Sequence, residues 1–104
     1  MTSPRSTVSA LQRLEQWYKT QCDGEWEHGE TITIETLDNP GWSLEVALAD
    51  TPLEHKAFPE IKRDYESDTE WLTCFLRDGK FMGACGPQKL EEMIEVFLTW
   101  AEES

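Results

Sequence analysis

The densest run of side chains able to do chemistry is Cys22-Asp23-Gly24-Glu25-Trp26-Glu27-His28, a thiol, an imidazole and three carboxylates in one short stretch. Metal ligation there would use Cys22, His28 and a carboxylate. The spacing matches no zinc pattern, and the other histidine, His55, lies far along the chain. A nucleophilic pair of Cys22 with His28 or His55 would need a thiol of lowered pKa, and neighbouring acids act in the opposite direction. Carboxylates for general acid–base work are plentiful, but acids are plentiful everywhere in this chain and single out no site. There is no phosphate loop, dinucleotide fingerprint or Gly-x-Ser-x-Gly elbow. The expectation is no catalytic residue, no metal and no cofactor, with the run serving recognition instead.

Charge points the same way. Across 104 residues, 21 acids face nine bases, a formal net charge of −12. Such a field repels nucleic acid and anionic membranes and draws basic partners. From Thr20 to His55 the chain carries Asp23, Glu25, Glu27, Glu30, Glu35, Asp38, Glu45, Asp50 and Glu54 and no lysine or arginine, whereas a surface built only for solubility intersperses both signs. Trp26 sits between two of these acids outside any apolar periodicity. It either pins the loop to a core or anchors a partner. No apolar run reaches the ~18 residues of a membrane span and no leader pattern is present, so a cytoplasmic location is expected. Cys22, Cys74 and Cys85 are odd in number and lack CxxC spacing, which argues for structural thiols rather than a disulfide framework.

The elements that position these residues follow from periodicity. A single domain over 1–104 is expected, frayed at 1–5. Ser6 or Thr7 is placed to cap a helix whose stripe runs Val8, Leu11, Leu14, Trp17 or Tyr18 and Cys22, ending near Gly24. Strands at 31–37 and 42–48 flank Asp38-Asn39-Pro40-Gly41. With Asn39, Pro40 and Gly41 as the loop, Ile32 faces Leu48, Ile34 faces Val46, Thr36 faces Leu44, and Glu35 sits across from Glu45. Two like charges so placed suit a face awaiting a cationic partner. A third strand is expected over 60–65. A second hairpin turns at Asp78-Gly79 and pairs Leu72 with Cys85, Cys74 with Gly83 and Leu76 with Phe81. This leaves Trp71, Phe75, Met82 and Ala84 together on an unusually apolar opposite face. Gly86-Pro87 then opens a helix with Leu90, Met93, Ile94, Phe97, Leu98 and Ala101 inward and Trp100 at the edge. The fold class expected is α+β: an antiparallel sheet of four to five strands with an N-terminal and a C-terminal helix packed on one face.

Trp17-Tyr18, the Cys22 to His28 run and Thr36-Leu37-Asp38-Asn39-Pro40-Gly41-Trp42 resemble the immunity protein 53 family of bacterial polymorphic toxin systems. Trp71-Leu72-Thr73-Cys74, Phe81-x-Gly83 and the closing helix from Leu90 to Trp100 fit the same pattern. The resemblance implies a non-enzymatic protein that binds and neutralises a cognate toxin domain. With the acidic run, it places Asp23, Glu25, Trp26, Glu27, His28, Glu35 and Glu45 on the contact surface of a monomer or homodimer. Two other readings stand beside it: a DNA mimic that inhibits a DNA-binding protein, and a small ligand-binding domain centred on the Cys22 to His28 loop.

Overall fold

A computed structural model describes residues 9–64 and 66–103. Helix α1 (Ala10–Gln21) opens at Ser9, whose side chain accepts from the Gln12 backbone N–H (3.1 Å) while the Gln12 side chain accepts from the Ser9 N–H (3.0 Å). This reciprocal cap stops two helix-start donors from going unsatisfied. The cap is therefore Ser9, not Ser6 or Thr7, which with Val8 lie outside the described residues. Ala10 and Leu14 carry the buried stripe with Trp17 packed against it, whereas Leu11, expected inside, is 53% exposed. The inward stripe runs through Ala10, Leu14 and Trp17, and Leu11 lies outside it.

A short helix α2 (Trp26–Gly29) follows, then strands β1 (Ile32–Leu37), β2 (Gly41–Ala47), β3 (Ile61–Arg63), β4 (Leu72–Arg77) and β5 (Lys80–Cys85), and helix α3 (Leu90–Glu102). The strands form one sheet in the order β1-β2-β5-β4-β3, every neighbouring pair antiparallel. Leu44, Val46, Leu72, Cys74, Phe81 and Cys85 from one sheet face join Leu14 of α1 and Met93, Ile94, Phe97 and Leu98 of α3 in one cluster. Both long helices thus cover the same face, as the α+β reading expects.

The second hairpin has the expected register. Asp78 and Gly79 both take positive φ (54° and 76°), the two-residue turn whose twist suits antiparallel strands. The first hairpin differs. Its loop is Asp38-Asn39-Pro40, Gly41 belongs to β2, and the pairing slips by two residues: Ile32 faces Val46, Ile34 faces Leu44 and Glu35 faces Ser43. Glu45 lies between Thr33 on β1 and Met82 on β5, so the Glu35–Glu45 pair does not form. A two-residue slip preserves which side chains point inward, so alternation could not distinguish the registers. The observed register extends to the Ala47 N–H, which donates to the Thr31 carbonyl (3.1 Å). On the other edge of β2, the Leu48 N–H donates to the Gly79 carbonyl (3.1 Å), and Gly41 packs against the Cys85 carbonyl where a Cβ would not fit.

Helix α3 begins after the turn at Gly86-Pro87, with Lys89 at its cap. Trp100, expected at the edge, is 5% exposed, and its indole N–H donates to the Ala57 carbonyl (2.8 Å). The Lys56 ammonium donates to the Trp100 and Glu103 carbonyls (2.6 and 2.7 Å), placing a cation on the otherwise open end of the helix. These two contacts tie the connection between β2 and β3 onto α3.

All three cysteines are free. Burial is the main cause that pushes the Cys74 thiol up to about 12 and the Cys85 thiol up to about 11. Iodoacetamide at mildly alkaline pH is therefore expected to label Cys22 in the folded protein and spare the other two until denaturant is added. Peptide mapping by mass spectrometry reads this directly, and equal labelling of all three in the folded state would contradict it.

Candidate partner-binding surface

The Cys22 to His28 run is a structured turn rather than a loose loop. Asp23 Oδ1 accepts the backbone N–H groups of Glu25 and Trp26, both at 2.9 Å, and so satisfies donors at the start of α2. The Trp26 and Glu25 donors, in that order, hold the Asp23 carboxyl below the usual carboxylate range. The Glu27 carboxylate reaches back to accept from the Asp23 N–H (3.1 Å) and the Gly24 N–H (3.0 Å to its nearer oxygen). Two of the three acids in the run thus do structural work: one caps the short helix and the other closes the turn before it.

Trp26 is the pin beneath them. It is 5% exposed, its indole N–H donates to the Ala49 carbonyl (2.8 Å), and it meets Trp17 and Tyr18 edge-on with centroids 6.2 and 5.9 Å apart. Its ring is packed into the fold and does not stand out from the turn. The lack of apolar periodicity around it reflects a single anchor whose partner lies 23 residues away. His28 and Glu25 are exposed on the turn, with the His28 N–H donating to the Glu25 carbonyl (3.1 Å).

The turn stands as a ridge between two clefts. One, about 370 Å³, has Leu14, Tyr18 and Ile32 among its lining and Glu15, Glu27 and Glu30 on its wall. The other, about 330 Å³, is lined by Asp23, Glu25, Trp26, Gly29, Glu30 and Asp50. No lysine or arginine lines either cleft. Glu15, Glu30 and Asp50 join the expected acids here although the sequence reading did not single them out as contacts. Glu30 and Asp50 belong to the acid run; Glu15 sits on α1 and is brought in only by the packing of α1 against α2.

Glu35 and Glu45 do not join this group. They project from the sheet face opposite the one α1 and α3 cover, so the seven expected contact residues divide between two surfaces. Among the described residues no three of His, Cys, Asp and Glu are placed to hold a metal ion, and no helix is long and apolar enough to cross a membrane.

A family model, Immunity protein 53, matches residues 11–102. The chain belongs to the immunity protein 53 family. The match takes in α1, the α2 ridge, the whole sheet and α3. Comparison with curated proteins and with solved structures returns no match. In this member of the immunity protein 53 family, buried aromatic packing and backbone hydrogen bonds hold the carboxylates of the α2 ridge in a defined arrangement.

Proposed function

We propose that this protein is a non-enzymatic bacterial immunity protein that binds a cognate toxin domain through the acidic α2 ridge and thereby neutralises it in the producing cytoplasm. The observation that carries the reading is the pair of clefts flanking α2, walled by six carboxylates with no base among their lining residues, in a chain of this family. An apolar floor of Leu14, Tyr18 and Ile32 beside Glu15 and Glu30 suits a partner presenting basic side chains next to apolar ones. Opposite charges aligned across such an interface speed association, and closely packed pairs contribute several kcal/mol.

The turn's hydrogen bonds decide how to test this. Reversing Asp23 or Glu27 would remove acceptors that build the ridge, so a loss of binding there would report folding rather than contact. Glu25 and Glu30 are the informative positions. The toxin is first captured from the native host on the tagged protein, washed at low and then high salt. The expected partner carries a basic toxin-like domain and is released as salt rises. The variant combining Glu25→Lys with Glu30→Lys is then expected to bind it with an association rate lower by about tenfold or more. An unchanged rate in a variant with native circular dichroism would remove the ridge from the interface. Capture of several DNA-binding proteins at once would favour a DNA mimic.

A further inference from the structure

We propose that the sheet face left bare by the helices pairs with the same face of a second copy of this chain, about a two-fold axis running along β5. The proposal is independent of the toxin reading, which concerns the α2 ridge. Trp71, Phe75, Met82 and Ala84 project from this face and are half-buried, and among the described residues no helix lies over them. An apolar strip of this kind on an otherwise strongly charged protein marks a contact surface.

The charges around the strip identify the occupant. On one side lie Glu45, opposite Met82, and Glu35 beyond it on β1. At the other end Arg77 and Lys80 face each other across the β4–β5 turn. The Arg77 guanidinium lies over the Phe75 ring, 4.9 Å from its centroid. Arg13, Arg63 and Lys89 are held by carboxylates, whereas Arg77 and Lys80 form no ion pair among the described residues. A uniformly basic partner would meet Glu35 and Glu45 favourably but would also meet Arg77 and Lys80. A second copy satisfies both signs.

The register sets out how. Glu45 is opposite Met82, and Met82 is opposite Phe75 on the next strand. A half-turn about β5 leaves Met82 and Ala84 over their own counterparts and carries β2 of one copy over β4 of the other. Glu45 of each copy then stands over the other copy's Phe75, where the Arg77 guanidinium already sits. The contact occurs twice by symmetry, as an isologous interface requires. Strands ~4.8 Å apart make a five-stranded face about 20 Å wide, small for a permanent dimer, so the association is reversible. The net charge of −12 on each copy opposes it at long range, and added salt screens that repulsion.

Sedimentation equilibrium of the full chain from micromolar to millimolar concentration tests the proposal. The wild type is expected to move between the mass of one 12.0 kDa chain and twice that mass. Glu45→Arg and Arg77→Glu each set like charges face to face, and each is expected to weaken association by about tenfold or more. An equimolar mixture of the two variants regains it. In the mixed dimer the introduced base meets the introduced acid, and native Glu45 meets native Arg77. A misfolded variant cannot show that rescue. A wild type that stays monomeric throughout would overturn the proposal, as would a dimer indifferent to both substitutions or a mixture that fails to associate. A monomeric wild type whose Phe75→Ala variant loses the captured toxin would assign this face to the toxin instead.

Discussion

Phe97→Ala is expected to cost about 4 kcal/mol of folding stability. Phe97 is fully buried on the inward stripe of α3. Its ring meets Trp17 of α1 at 5.0 Å and Phe81 of β5 at 5.1 Å, both edge-on, and lies 6.2 Å from Trp100. Truncation therefore opens a cavity where α1, α3 and the sheet meet and removes aromatic contacts worth about 0.5–1.5 kcal/mol each beyond area burial. Against a total stability of roughly 5–15 kcal/mol for a domain, that is a large share of the margin. Urea unfolding followed by tryptophan fluorescence should show a large fall in midpoint with little change in slope. Phe97→Leu, which keeps much of the volume, should lose about half as much or less. Equal losses for both would mean that the ring contacts, which both variants lack, and not the lost volume carry the effect.

Gly86→Ala is expected to be nearly as damaging, at about 3 kcal/mol. The reason is contact rather than propensity. A Cβ at Gly86 would collide with the Thr69 backbone carbonyl, while the Gly86 N–H is committed to the Trp71 carbonyl at 2.9 Å. Neither backbone segment moves without breaking the turn that leads into α3. Gly83→Ala offers a graded comparison, because there the Cβ would meet the Met93 sulfur at 2.7 Å, the end of a flexible side chain. Gly29→Ala is the control: nothing lies within 4 Å, and alanine in place of helical glycine should stabilise slightly. Thermal melts of the three variants should rank Gly86, Gly83, Gly29 from most to least harmful. Any other order would contradict the contact explanation.

The parts of the fold legible from residues alone are those governed by neighbours in the chain. The Asp78-Gly79 turn specified the β4–β5 register because few backbone conformations join two strands with two residues. The stripe of α3 from Leu90 to Ala101 was readable because helical spacing repeats every few residues. The β1–β2 register was not, since pairings two residues apart expose the same faces. The roles of Asp23 and Glu27 were hidden for a different reason. Composition counts a carboxylate as charge, and only geometry shows that its oxygens are occupied by backbone N–H groups.

Sequence by itself determined the fold class, the placement of apolar stripes, the excess of acid and the family resemblance, all of which depend on residue type and local spacing. Tertiary structure decided which acids remain available. It buried Trp26 against Ala49, brought Glu15 to the α2 ridge and set Glu45 between Thr33 and Met82 instead of across from Glu35. Those outcomes depend on contacts between segments far apart in the chain, where packing and carbonyl positions select one arrangement among several that local pattern permits equally.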